Sequence, residues 1–414
     1  MTAPGQEQHH YIPRGSPLKL MDRMVWQQRL DSLTARQFRR RYRIDKAGFE
    51  MIMKDITPFM PPVLRSDAVA NELKLSMTLR WLAGGSYLDI ADLHGLDVAT
   101  MYKHVWITMQ AIDKKYSFQL LRQLKELDAE DVAAGRSTVE ALAEGFDAKT
   151  HGIMHGCIGA VDGIAIKLDA RVLTDVSNLA SYFCRKGFYS INFQVAADAE
   201  RRIIWTSAKF QGSTHDSLAL SETELGKILQ DPEHALNKTN YWLAGDDAYK
   251  GVAAYSDSLL TPYAIGRGFN DEKDAFNFYQ SKLRIEVECC FGALVHRWGI
   301  LQNKMKVDNL YKANLLLSVC CKLHNICMER TLPEHTGRVM SDTYGDRTRN
   351  GDRWGGDWAD WRIPDDEDDD TRIPVPRGKG KQRLRDELCE NLARHNKQRP
   401  ERSSYKPTHR RRRG

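Results

Sequence analysis

From Trp26 to about Gly145 the apolar positions recur every three or four residues, the period of helices packed on one side. Within this region the pattern predicts three helices over Glu72–Trp106. The first ends at the Gly84-Gly85 break, and a short second one runs from Ser86 to His94 with Gly95 as its stop. The third takes Asp97 as its N-cap. Val98, Met101, Tyr102 and Val105 fall on its inward face, and Ala99, Thr100 and Lys103 on its outward face near the N-terminal end. From about Gly152 to Cys327 the pattern becomes mixed α/β. An apolar run, Ile153 to Val161, leads into Asp162, and an alternating run follows from Ile164 to Leu168. Two stretches, Ile191–Ala197 and Arg202–Ala208, alternate apolar and polar residues around an Asp198–Arg201 turn, which reads as a hairpin. An amphipathic helix is predicted over Asp216–Leu229, short strands over Tyr241–Gly245 and Ser258–Ala264, and helices over Ala275–Arg297 and Ala313–Met328. Before residue 25 and beyond Arg330 no period survives, and both ends read as mostly disordered, apart from one short helix over Arg383–Asn396.

At 414 residues the chain is too long for one ordinary core, so two or three domains are expected. No apolar run approaches a membrane span and no signal pattern opens the chain, which predicts a soluble, intracellular protein. Eight cysteines include the adjacent pairs Cys289-Cys290 and Cys320-Cys321, a poor disulfide framework that suits a reducing compartment. Cys321, His324 and Cys327 lie three apart on one helical face, but buried thiols and a packed imidazole explain them without zinc. The charge of +6 is unevenly spread. Thr371–Gly414 carries 15 Lys and Arg against 4 Asp and Glu, a net of +11, which leaves −5 for the rest. The run Asp365–Asp370 holds −6 of that. A basic tail of this kind suits nucleic-acid contact or nuclear import. Upstream, Arg36–Arg43 interleaves arginines with Phe38 and Tyr42, which fits a solvated helix face or phosphate contact equally well.

Three acidic positions carry the candidate chemistry: Asp162, Asp246 and Glu288. A carboxylate flanked by apolar strand residues is costly unless paired or metal-bound. Asp, Asp and Glu spread along an α/β pattern are what a two-metal phosphoryl-transfer site needs, because hard divalent ions take several carboxylate oxygens. Taken singly each has an ordinary reading. Asp162-Gly163 is also a hairpin-turn signal. Asp246-Asp247 suits a solvated strand end, and of two strand neighbours only one faces the centre. Glu286 and Glu288, two apart on a helix, share no face.

The order strand-Asp, strand-Asp, helix-Glu is more specific. With Gly159-Ala-Val-Asp162-Gly163, Arg185-Lys-Gly187 through Gln194, Gly212-Ser-Thr-His215-Asp216-Ser217, Gly245-Asp246 with Tyr249, Arg284 through Glu288 to Phe291-Gly292, and Leu323-His324-Asn325, the segment from about Arg65 to Arg330 resembles DDE transposases of the PIF/Harbinger type. The resemblance implies a ribonuclease-H-like mixed sheet flanked by helices, preceded by an all-α helix-turn-helix domain. The implied organisation is a loose 1–25, a helical DNA-binding domain over 26–145, a nuclease domain over 150–330, and an acidic then basic tail over 331–414. It makes Asp162, Asp246 and Glu288 the ligands of Mg²⁺ or Mn²⁺, two ions in all, and selects Asp246 over Asp247 and Glu288 over Glu286 by motif position. The implied activity is cutting double-stranded DNA at transposon ends and joining the 3′ ends to AT-rich target DNA, in the nucleus, as a homo-oligomer and with a Myb-like partner protein. Asp247-Ala248 and Lys250 depart from the family's usual small pair and proline.

For DNA contact the expected residues are Thr100 and Lys103, from the N-terminal end of the third helix where a helix-turn-helix reads bases. Arg185 and Lys186 are expected on the backbone, and His215 on DNA or a metal-bound phosphate. Asp216 reads as the N-cap of the helix that follows. Two alternatives stand beside the transposase. One is a host-captured, catalytically silent DNA-binding descendant. The other is a nuclease of RNA hybrids, disfavoured because the deep major groove of RNA excludes a recognition helix.

Overall fold

The computed structural model describes residues 22–63, 68–133, 135, 137–251, 258–330 and 383–399. The chain divides into two compact units, Met1–Lys115 with Trp298–Ile300, and Tyr116–Arg297 with Leu301–Gly414. The expected loose N-terminus and most of the expected disordered tail lie outside the described residues.

The first unit is helical: α1 (Trp26–Asp31), α2 (Ala35–Tyr42), α3 (Lys46–Ile56), α4 (Asn71–Leu82), α5 (Tyr87–His94) and α6 (Val98–Lys115). Helix α2 starts in a capping box between Thr34 and Gln37, and buries Phe38 and Tyr42 while its arginines stay outside. Those two rings gather with Trp26 and Phe49, Trp26 stacking on Phe49 at 4.6 Å between centroids. Helix α4 is buried nearly all round, with Leu75, Met77, Leu79 and Leu82 enclosed together with the polar Ser76 and Thr78. The breaks fall where the sequence puts them. Ser86 caps α5, Gly95 ends it in the left-handed region at φ 63°, and Asp97 caps α6 by accepting the Thr100 N–H at 2.9 Å. Met101 and Val105 are buried, Val98 and Tyr102 half-buried. His94 is sealed between Ser76 and the Ile90 carbonyl, and burial lowers its pKa to about 4, so it stays neutral.

The second unit carries three further helices, α7 (Leu120–Lys125), α8 (Ala129–Ala133) and α9 (Glu140–Thr150), ahead of the sheet. The sheet has five strands: β1 (Cys157–Lys167), β2 (Ser190–Ala197), β3 (Ile203–Gln211), β4 (Trp242–Gly245) and β5 (Leu259–Leu260), in spatial order β3-β2-β1-β4-β5. Strands β1, β2 and β3 are antiparallel; β4 and β5 join β1 in parallel. The C-terminal ends of β1 and β3 and the N-terminal end of β2 therefore lie together, whereas β4 ends at Gly245 opposite Val161, midway along β1. Helices α10 (Asp216–Ser221), α11 (Glu224–Gln230), α12 (Asp271–Arg297), α13 (Leu310–Glu329) and α14 (Arg383–Arg394) complete the unit. Helix α14 seats Leu384, Leu388 and Leu392 inward, and anchors through Asp386, which accepts from the Tyr263 hydroxyl at 2.5 Å, and through Arg385 over the Tyr263 ring.

Several boundaries differ from expectation for physical reasons. The predicted helix Asp216–Leu229 is two helices, because Thr223 turns the chain by donating to the Leu220 carbonyl and then caps α11 at Gly226. The strand predicted over Ser258–Ala264 pairs only at Leu259–Leu260. Strand β2 alternates in sequence but is buried on both faces, since helices α10 and α12 pack against it and its polar positions face a hydrogen-bonded network instead of water. Asp162-Gly163 is not a turn: it sits in the middle of β1. A Cβ at Gly163 would collide with the Asp216 carboxylate and the Gln194 amide, so glycine is required there by close approach. Among the described residues no helix is long and apolar enough to cross a membrane.

Candidate active site

Asp162 is placed by the register of β1. Val161 pairs with Gly245 across the parallel β1–β4 ladder, so the next residues, Asp162 midway along β1 and Asp246 just past the end of β4, stand side by side. Strand alternation puts both on the face that Ala160 and Ala244 line. Helix α12 packs on β1, β2 and β4 and brings Glu288 within electrostatic reach. Asp162 is pushed up to about 7, chiefly by burial and further by the negative charges of Asp246 and Glu288; the Gly163 N–H and Arg284 act in the opposite direction. Asp246 is raised as well, by burial first and by Asp216 and Asp247. Its carboxylate accepts the Ala248 N–H at 2.9 Å.

The paired acids in the two motifs separate cleanly. Asp247 is exposed and ion-paired with Lys250, which offsets the extra charge that the sequence places beside Asp246. Glu286 is buried and bonded to Lys149 at 3.0 Å and Arg201 at 2.7 Å, a structural ion pair. Glu288, two residues on, is about half exposed and ion-paired with Arg284 one turn earlier. The three carboxylates offer the hard oxygen donors that suit a divalent cation. As arranged here they are not drawn in around one point: among the described residues no three His, Cys, Asp or Glu side chains form a group able to hold a metal ion. Glu288 turns to Arg284 instead. The Cys321–His324–Cys327 face is likewise no metal site, because the His324 ring is buried against the Arg201 carbonyl at 2.9 Å with Arg297 on its other nitrogen.

The opposite face of β1 carries a network that sequence reasoning did not find. The Asp216 carboxylate accepts from Asn192 at 2.8 Å and from Gln194 at 2.9 Å, and the Gln194 carbonyl accepts from the Tyr249 hydroxyl at 2.5 Å. Asp216 is thus not the cap of α10. His215 is, its Nδ1 accepting the Ser217 N–H at 3.4 Å, and that leaves Asp216 free to bind the amides. The available signal was two amides, Asn192 and Gln194, in an otherwise apolar strand. Arg284 was visible too, four residues before Glu288 on one helix.

Of the residues expected on DNA, Arg185, Lys186 and His215 are exposed and lie on the loops that follow β1 and β3. Thr100 and Lys103 belong to the helical unit. Lys103 is exposed, whereas the Thr100 hydroxyl is donated to Asp97 at 2.5 Å as part of the cap.

This is a mixed α/β domain with two acids side by side at adjacent parallel strands of its sheet. Residues 161–325 match the family described as DDE superfamily endonuclease. The chain is similar to the protein named "Putative nuclease HARBI1" of Rattus norvegicus, 26% identical over 276 residues, covering 65% of this chain and 70% of that protein. Its counterpart in Bos taurus is 24% identical over 273 residues, with the same shares. "Protein ALP1-like" of Arabidopsis thaliana is 23% identical over 282 residues, covering 65% of this chain and 64% of that protein. The chain is thus similar to Harbinger transposase-derived nucleases, as its motifs led us to expect. No solved structure matches it.

Proposed function

We propose that the protein is a metal-dependent DNA endonuclease of the DDE transposase type, with Asp162, Asp246 and Glu288 as its metal-holding carboxylates. The observation that carries this reading is the β1–β4 register, which sets two strand carboxylates side by side under a helix bearing the third. The strand order, three antiparallel and two parallel, supports a ribonuclease-H-like fold. Divalent ions there, Mg²⁺ or Mn²⁺, would supply Lewis-acid activation of a water or 3′-hydroxyl and charge for the leaving oxygen. The protein's own part is to hold Asp162 and Asp246 side by side, with Arg284 balancing the charge of the acids until a cation takes Glu288. Exposed Arg185, Lys186 and His215 suit backbone contact. Cutting at transposon ends and 3′-end joining, a nuclear location, self-assembly and a Myb-like partner belong to the same reading by family resemblance.

Purified protein should nick supercoiled plasmid with Mg²⁺ or Mn²⁺ and stop on chelation. Tight DNA binding without nicking under either metal would favour the second reading, a silent DNA-binding descendant.

The helical unit is assigned DNA binding through α6. Lys103→Ala should weaken binding by a similar factor on every duplex tested and lower the salt slope by about 1, as loss of one phosphate contact requires. Gel-shift affinities equal to wild type across salt concentrations would remove α6 from the interface.

The tail from Thr371 to Gly414, net +11, is assigned nuclear entry and salt-sensitive nonspecific binding. Deleting residues 400–414, with Arg410–Arg413, should flatten the salt dependence and shift a fluorescent fusion toward the cytoplasm. An unchanged slope and unchanged localisation would leave the segment only a solubilising role.

A further inference from the structure

The connection from β1 to β2 ends in a tight hairpin. Phe183 and Tyr189 bridge its base, Cys184 N–H donates to the Phe188 carbonyl at 2.9 Å, and the Gly187 N–H returns to Cys184 at 2.9 Å. Gly187 closes the turn at φ +85°, so Arg185 and Lys186 form the exposed tip. The Cys184 side chain is buried, which roots the turn. Phe183 is not rooted: half its surface is open, with Tyr189 meeting it edge-on at 5.4 Å. Leu179 beside it is 40% exposed. The loop leading to α10 lies alongside through the Ser213 N–H on the Ser181 carbonyl, and adds exposed Leu218 and His215.

This places an aromatic ring and aliphatic neighbours, rimmed by two cations, past the C-terminal end of β1, the strand that carries Asp162 five residues before that end. No Asp or Glu occurs from Val176 to Ala197, and the one acid beside His215, Asp216, is held by the Asn192 and Gln194 amides. Such a surface suits a polyanion with flat apolar faces. A paired base hides its faces in the stack, whereas an unpaired one offers them to an aromatic side chain.

Resting on the nuclease reading above, we propose that the Phe183–Tyr189 hairpin is a nucleobase-stacking element. It takes an unpaired base of the DNA strand on Phe183 while Arg185 and Lys186 hold the adjoining phosphates. The hairpin would thereby favour DNA that is frayed or forked near the cut over fully paired DNA.

The full chain would be titrated, in chelator so that no strand is cut, with a forked duplex and the matching full duplex. Each carries 2-aminopurine at the first unpaired position or its paired equivalent. Wild-type protein should bind the fork more tightly and quench its fluorescence. Phe183→Ala should lower that preference about tenfold and lose the quenching, as the loss of one stacked base predicts. Phe183→Trp should keep both. Arg185→Ala with Lys186→Ala should weaken fork and duplex alike and reduce the salt slope. Unchanged fork preference in Phe183→Ala would overturn the stacking assignment while leaving the nuclease reading intact. A change in sedimentation of Phe183→Ala, with binding unaltered, would give the patch to a second copy of the chain and overturn it as well. Absence of binding to either probe would sink the nuclease reading and this inference together.

Discussion

Asp162→Asn should abolish metal-dependent nicking, a fall of at least about a thousandfold, and yet make the metal-free protein more stable above pH 7. Loss of activity follows from removing one carboxylate of three: Lewis-acid stabilisation is worth several kcal/mol, and each 1.4 kcal/mol or so is a factor of ten in rate. The gain in stability follows from the electrostatics. Asp162 in the folded chain titrates at about 7, against 3.8 for an unperturbed group. Below 3.8 both states hold the proton. As pH rises from 3.8 toward 7 the unfolded chain releases it and the folded chain does not, so stability falls across that window and stays reduced above it. Asparagine fills the same space without a charge and removes most of this slope; the part due to Asp246, also raised, remains. Thermal melts in chelator between pH 4 and 8 should therefore converge at the acid end and separate in favour of the variant at the basic end. Mg²⁺ should raise the wild-type melting temperature and leave the variant unmoved, because only the native site binds. Nicking that persists in Asp162→Asn would remove this residue from the chemistry. A variant less stable than wild type at every pH would refute the burial argument.

Much of this molecule is legible in its sequence because local signals and tertiary structure agree. Ser86, Gly95 and Asp97 each do by themselves what their positions in the α4–α6 region require, so these boundaries follow from chemistry within one turn. The acids were legible from their apolar flanks, and their pairing in space follows from one ladder, Val161 with Gly245. What escaped depends on residues distant in the chain. Gly163 looks like a turn until the Asp216 carboxylate, more than fifty residues on, is seen to fill the place of its Cβ. Asn192 and Gln194 look like the wet face of a hairpin, but β2 is central and that face closes over Asp216 and Tyr249. His215 displaced Asp216 from the expected cap for the same reason: the carboxylate has stronger partners elsewhere. The local pairs Asp247–Lys250 and Arg284–Glu288 were within reach of a spacing argument, and they change how each motif acid is charged.

That network makes Gln194 the most sensitive uncharged side chain near the site. It is fully buried and joins three partners: its amide N–H groups reach Asn192 at 2.7 Å and Asp216, and its carbonyl takes the Tyr249 hydroxyl. Gln194→Leu keeps much of the volume and strands a buried hydroxyl, an amide oxygen and one bond to a carboxylate. Each stranded group costs about 1–3 kcal/mol, so urea unfolding should show a loss of roughly 3 kcal/mol or more. Gln194→Glu separates packing from hydrogen bonding, because it keeps the shape. Protonated, it still donates toward Asp216; ionised, it sets a second carboxylate against it. Its folded pKa must then lie above the unfolded value of about 4.3, so the deficit relative to wild type should be small in acid, grow as pH rises through that value, and level off above the folded pKa. Tyr249 follows Asp246 by three residues, so either substitution should also loosen the turn that presents that carboxylate. Gln194→Leu with wild-type stability, or a Gln194→Glu deficit that ignores pH, would mean that the network does not hold the site in place. Asp246 would then owe its position to the strand ladder alone.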